Sequence, residues 1–215
     1  MADWTPNLIV FGLCYFIGGI PFGLLIGKSK GVDIRDHGSG NIGATNVLRT
    51  LGKRLGYLCF SLDVLKGMVP VLIACKIARL QEWPHQDLTP VFAVFAVVAG
   101  HVWCPFLKFK GGKGVATSAG GILAVAPIPT ACSLLIWYLV FSIWRYVSLA
   151  SIVAAAVLPL AAVVIGRTMP RMALERPTLV LLIVLAVLII IKHRANIKRL
   201  LAGTESRFAE KGNAQ

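Results

Sequence analysis

Charge is what this sequence has least of. Asp, Glu, Lys and Arg make up 14% of its 215 residues, where a soluble domain carries about 25%. That scarcity excludes an ordinary water-facing globule, and an apolar content of 57% excludes a disordered chain. Acids are scarcer still: nine Asp and Glu stand against 22 Lys and Arg, a formal net charge of +13. Such an excess of base would suit nucleic acid, but no RNA- or DNA-binding pattern accompanies it, so no nucleic-acid partner is expected. The five cysteines, Cys14, Cys59, Cys75, Cys104 and Cys132, sit in or beside apolar runs without paired spacing. This excludes a secreted disulfide scaffold and reads them as small hydrophobes. The opening Met-Ala-Asp-Trp lacks the basic region of a cleavable signal peptide. There is no internal repeat, low-complexity tract or linker, so 1–215 is expected to be a single transmembrane domain.

What remains is an integral membrane protein. A hydrocarbon core about 30 Å thick needs about 20 apolar residues in a helix. Residues 8–27 fit, interrupted by small residues and Pro21. So do 55–75, apart from Asp63 and Lys66, and 90–107, 146–166 and the shorter 178–191. Residues 115–144 form one long stretch containing Ala-Pro-Ile-Pro at 126–129, where proline breaks a helix. Lys and Arg orient the chain, because they accumulate in cytoplasmic loops. Splitting 115–144 at Pro127–Pro129 gives seven spans, with the amino terminus outside and the carboxyl terminus cytoplasmic. It also puts 16 of the 22 cations inside, including Arg145 and the tail residues Lys192, Arg194, Lys198, Arg199, Arg207 and Lys211. Five fall outside, and Lys66 lies within a span. A five-span arrangement with re-entrant segments is the alternative. The fold class expected is therefore all-α, a polytopic transmembrane helix bundle. In either arrangement the segments 28–54, 108–114 and 192–215 face the cytoplasm.

Those three segments hold the chemistry. The first reads Gly-Ser-Gly-Asn-Ile-Gly-Ala-Thr-Asn-Val-Leu-Arg over 38–49. Gly38, Gly40 and Gly43 match the dinucleotide-binding pattern formally, but that site needs a preceding strand, and a membrane helix precedes here. The physics survives: glycines let successive backbone N–H groups turn toward one anion. Ser39, Asn41, Thr45 and Asn46 add neutral hydrogen-bonding groups, and Arg49 adds a fork suited to phosphate. The second runs from Gly100 and His101 to Lys110-Gly111-Gly112-Lys113-Gly114-Val115-Ala116-Thr117. It is no Walker A loop, because glycine follows Lys113. It is still a Gly-rich, Lys-bearing turn entering a helix, where N–H groups and dipole favour anions. Lys108 and Lys110 also fit simple positive-inside anchors, and for Lys108 the two readings weigh equally. In the third segment His193, Asn196 and Arg199 recur every third residue, roughly on one helical face. Asp63 and Lys66, three apart within a span, form a candidate ion pair, and intramembrane charges are usually functional.

Together the segments resemble the acyl-phosphate-dependent glycerol-3-phosphate acyltransferases of bacteria, the PlsY family. The resemblance is carried by 39–49, 100–117 and 193–200, with support from Leu-Asp-Val-Leu-Lys-Gly at 62–67 and Arg-Tyr-Val-Ser-Leu-Ala-Ser at 145–151. It implies a multi-pass protein of the bacterial inner membrane with its site facing the cytoplasm. The reaction implied is acyl phosphate plus sn-glycerol 3-phosphate giving 1-acyl-sn-glycerol 3-phosphate (lysophosphatidic acid) and phosphate, the first step of phospholipid synthesis. On this resemblance Ser39, Asn41, Arg49, Lys113 and His193 are the expected catalytic residues. Gly40, Gly43, Thr45, Asn46, His101, Lys110, Gly111, Gly112, Gly114, Thr117, Ser148, Asn196 and Arg199 are the expected substrate ligands. The partners implied are long-chain acyl phosphate, glycerol 3-phosphate and membrane lipid, with no cofactor and no metal. No histidine is followed five residues on by Asp, so the dyad of the other large glycerolipid acyltransferase class has no support. The rival readings are a transporter of an organic phosphate and a lipid-binding scaffold.

Overall fold

The structure, a computed structural model, describes residues 3–208, so Lys211 lies outside the described residues. Among the described residues it is all-helical, and it divides after Val125 into two compact units.

The first unit holds six helices: α1 (Thr5–Gly19), α2 (Phe22–Lys28), α3 (Ala44–Leu51), α4 (Lys53–Leu80), α5 (Thr89–Val102) and α6 (Val115–Val125). The expected span 8–27 is therefore two helices, because Pro21 has no N–H to continue α1. Gly52, at φ +89°, turns the chain from α3 into α4, which runs 28 residues, about 42 Å. Prolines open α1 and α5, where the missing N–H costs no helical bond. α1 packs along α5, and α4 packs against α3, α5 and α6. Small residues let these backbones approach closely. A Cβ on Gly67 of α4 would overlap the Thr117 carbonyl of α6, and one on Gly120 of α6 would overlap the Val64 carbonyl of α4.

The second unit holds α7 (Pro127–Trp144), α8 (Val147–Thr168), α9 (Arg176–Lys192) and α10 (Arg194–Leu201). α8 packs against α7 and α9, and α10 lies against both α8 and α9. α9 and α10 meet at a bend of 56° at His193.

Five segments are each long and apolar enough to cross a membrane: Thr5–Lys28, Lys53–Leu80, Thr89–Leu107, Pro127–Trp144 and Val147–Thr168. The bent α9–α10 pair passes the same test as a unit, whereas α6 has only 11 residues, about 16 Å. The expected break in 115–144 falls at Ala126, immediately before Pro127. Large apolar side chains such as Leu13, Phe16, Leu72, Leu135, Leu160 and Ile183 face outward, as a lipid-facing surface requires.

Candidate active site

In the first unit, chain 29–43 folds over an apolar floor. Leu24, Ile26, Ile34, Ile42, Val47 and Cys59 form one buried cluster. Leu107, from the second motif segment, packs on the same cluster, so burial brings two of the three segments together. Asn46 pins the first loop from within. Its Nδ2 donates to the carbonyls of Ile34 (2.8 Å) and His37 (3.0 Å), and its Oδ1 accepts from the Ser39 N–H (2.9 Å). Asn46 is buried, and its amide holds the loop. Asn41 Oδ1 accepts from the Gly43 N–H at 2.8 Å, a turn that delivers the chain into α3. Gly38 and Gly40 have φ of +58° and +68°, a region costly to any residue with a Cβ. Ser39 and Gly40 are exposed, Thr45 is half-buried in the first turn of α3, and Arg49 is exposed in its last turn. Arg35 is engaged by Asp33, whose carboxyl is held down to about 2 by hydrogen bonds from the Arg35 side chain and then its N–H.

The second loop lies back over the end of α5. The N–H groups of Gly111 and Gly112 donate to the carbonyls of Val102 (3.2 Å) and His101 (3.1 Å). Gly114, at φ +82°, turns the chain into α6, so Lys113 stands directly before that helix. Lys110 is exposed and Lys113 half-buried. Behind the loop, His101 Nδ1 meets Thr117 Oγ1 at 3.2 Å and lies 3.9 Å from Asp63 Oδ1. Both side chains, expected as substrate ligands, point into the helix packing at 5% and 0% exposure. The Asp63–Lys66 pair forms as expected, at 2.7 Å with both side chains buried.

In the second unit one carboxylate collects the motif residues. Glu205 Oε1 accepts from Ser148 Oγ (2.7 Å) and Asn196 Nδ2 (2.6 Å), while Oε2 accepts from Arg199 Nε (2.7 Å). Burial works against the Glu205 carboxylate, but these three donors more than offset it and hold its pKa below the ordinary value. His193, buried at the α9–α10 bend, has Nδ1 2.8 Å from the Ile189 carbonyl, so Nδ1 carries the hydrogen. Sequence reasoning left Glu205 without a part. Its signal was being the one acid among the cations of 192–208.

Known proteins resemble this chain over nearly its whole length. The family model described as "Glycerol-3-phosphate acyltransferase" matches residues 8–203. Proteins named glycerol-3-phosphate acyltransferase are similar throughout. The one from Geobacter sulfurreducens is 47% identical over 94% of this chain and 97% of its own. The one from Aquifex aeolicus is 46% identical over 94% and 97%. A crystal structure of PlsY, an integral membrane glycerol 3-phosphate acyltransferase in its glycerol 3-phosphate form, superposes with a TM-score of 0.85. It is 44% identical and covers 94% of this chain and 96% of that one. The same enzyme in its lysophosphatidic acid form superposes at 0.81. With a family match through both units and several apolar helices of spanning length, this chain is a multi-pass membrane acyltransferase and belongs to the glycerol-3-phosphate acyltransferase family.

Proposed function

We propose that this enzyme moves a long-chain acyl group from an acyl phosphate to glycerol 3-phosphate, releasing 1-acyl-sn-glycerol 3-phosphate and phosphate at the cytoplasmic face of the bacterial inner membrane. The observation that carries the reading is the placement of the Lys110–Gly114 loop. It is a glycine-rich turn bearing two lysines, tied by its N–H groups to the end of α5 and leading straight into α6. Such a loop presents a helix N-terminus and an ammonium to one phosphate, while the Gly111 and Gly112 N–H groups hold the turn in place. Lys110, Gly111, Gly112, Lys113 and Gly114 cradle the donor's phosphate. Ser39, Gly40, Asn41, Gly43, Thr45 and Arg49 hold and orient phosphate from the first loop. His193 and the set gathered by Glu205 (Ser148, Asn196 and Arg199) hold glycerol phosphate.

The acceptor hydroxyl attacks the acyl carbon, the C–O bond to phosphate breaks, and phosphate leaves with the electron pair. The hydroxyl proton passes to an oxygen of the donor's phosphate, and a phosphate in ester form, with a second pKa of about 6, suits the task. The protein's share is positioning and stabilisation of charge.

Seven crossings, an external amino terminus and a cytoplasmic carboxyl terminus suit this chemistry, because a soluble acceptor and loops 28–54 and 108–114 then share one side. The short α6 and the bent α9–α10 pair favour, as a second arrangement, five crossings with both of these segments re-entrant. Incubating purified enzyme in detergent with palmitoyl phosphate and labelled glycerol 3-phosphate tests the reaction. Labelled lysophosphatidic acid formed without acyl-CoA supports it, and a strict need for acyl-CoA sinks it. Labelling of single cysteines introduced at the exposed positions 39 and 110 tests the sidedness. Accessibility from outside alone overturns it.

A further inference from the structure

Asp63, Lys66, His101 and Thr117 have no part in the chemistry proposed above, yet all four are more than nine-tenths buried. They come from three helices and meet behind the second loop. Lys66 Nζ is 2.7 Å from Asp63 Oδ1 and donates to the Ile20 carbonyl at 2.7 Å, in the gap between α1 and α2 that Pro21 leaves. Asp63 Oδ1 lies 3.9 Å from His101 Nδ1, and Thr117 Oγ1 lies 3.2 Å from the same nitrogen. On the far side of that imidazole is the loop. The His101 carbonyl accepts from the Gly112 N–H, and a Cβ at Gly112 would overlap His101 Nε2. The ring is thus gripped at Nδ1 by the helix packing and underlies Gly112 at Nε2. A pair needed only to hold helices together has no use for a histidine whose ring is the seat of the next loop.

We propose that Asp63, Lys66 and Thr117 are positioning residues: they set the orientation of the His101 ring, and the ring sets the height of the Gly111–Lys113 turn at the donor's phosphate. This rests on the reading of Lys110–Gly114 as the donor-phosphate loop. Lys66 fixes Asp63 and anchors the assembly to the break between α1 and α2. Thr117 fixes the ring directly, because its hydroxyl contacts Nδ1 at 3.2 Å. Loop placement matters, because a displacement of about 1 Å can cost about 10²-fold in rate.

Thr117→Val removes the hydroxyl at nearly constant volume, and Thr117→Ser keeps it. In steady-state assays with palmitoyl phosphate and glycerol 3-phosphate, Thr117→Val is expected to raise KM for palmitoyl phosphate at least about tenfold. KM for glycerol 3-phosphate should change less than about twofold on the same argument, and Thr117→Ser should restore the donor KM. A lowered melting temperature with unchanged kinetic constants per folded molecule overturns the proposal, because that is what a scaffold role gives. Lys113→Ala, measured in parallel, separates the two readings. If it leaves the donor KM unchanged, the loop is not the donor site and both readings fall. If it raises that KM while Thr117→Val does not, only the positioning role falls. Gly112→Ala approaches the ring from the loop side and keeps the test decisive if Thr117→Val does not fold. It should produce the same donor-selective rise in KM, and the absence of that rise overturns the proposal.

Discussion

Ser148 Oγ donates to Glu205 Oε1 at 2.7 Å, joining the first turn of α8 to a residue 57 positions later. Asn196 and Arg199 converge on the same carboxylate, so Glu205 sets the spacing of three expected glycerol-phosphate ligands. Replacing it by Gln keeps two acceptor lone pairs on one oxygen but loses the charge that Arg199 meets. Glu205→Ala leaves all three donors without their acceptor. A hydrogen bond to a charged group contributes about 1.5–3 kcal/mol. Glu205→Ala should therefore lower the melting temperature clearly, and Glu205→Gln by less. Thermal unfolding in detergent measures both, and equal melting points for wild type and Glu205→Ala would contradict the geometry.

The same contacts set a dependence on acid. The Glu205 pKa is depressed in the folded protein, so its contribution to stability is complete above the unfolded value near 4.5. It fades as pH falls through the lower folded value. Melting curves from pH 7 down to pH 3 should show a larger acid loss in wild type than in Glu205→Gln, since an amide does not titrate there.

Cations in the two first-unit loops should differ in weight by position. Lys113→Ala and Arg49→Ala should each lose at least about 10²-fold in kcat/KM, about 2.7 kcal/mol. Lys108 stands exposed in the turn before Lys110, with a φ of +50°. Lys108→Ala should lose much less. Equal losses at Lys108 and Lys113 would mean the lysines act only as a diffuse field.

The buried pair gives an asymmetric double-variant series. Asp63→Asn strands the Lys66 charge, and breaking a buried pair by one partner costs about 3–5 kcal/mol. Asp63→Asn combined with Lys66→Met removes both charges and takes the Lys66 donor from the Ile20 carbonyl, which keeps the Phe22 N–H at 3.1 Å, so the loss is about 0.5–1.5 kcal/mol. Folded yield should rank wild type first, the double variant second and Asp63→Asn last. A double variant that folds less well than the single one would show that the Ile20 contact outweighs the ion pair.

Substrate-assisted proton transfer makes a prediction about His193. Its Nδ1 is committed to the Ile189 carbonyl, which fixes the ring in place. His193→Gln should impair binding and rate but keep the acidic limb of the pH–rate profile, because the titrating group is on the substrate. Loss of that limb together with about 10⁴-fold in kcat at constant KM would make His193 the general base.

Much of this protein is legible along the chain. Local chemistry places the helices: apolar runs of spanning length, Pro21 splitting the first span, Ala126-Pro127 splitting the long stretch. The three motif segments and the Asp63–Lys66 pair are likewise visible, because helical spacing and the spread of cations are properties of sequence alone. What the tertiary structure decided is where polar side chains point. Asn46, His101 and Thr117 belong to motifs rich in phosphate-binding residue types, but packing turned them inward. A loop that crosses an apolar floor must satisfy its own carbonyls and N–H groups, and Asn46 does so for Ile34, His37 and Ser39. Close α4–α6 contact at Gly67 and Gly120 buries Thr117 against His101. Glu205 was invisible in its role for the same kind of reason. Its ligands lie nine and 57 residues away on one side of the carboxylate, and only folding brings those distances to hydrogen-bond length.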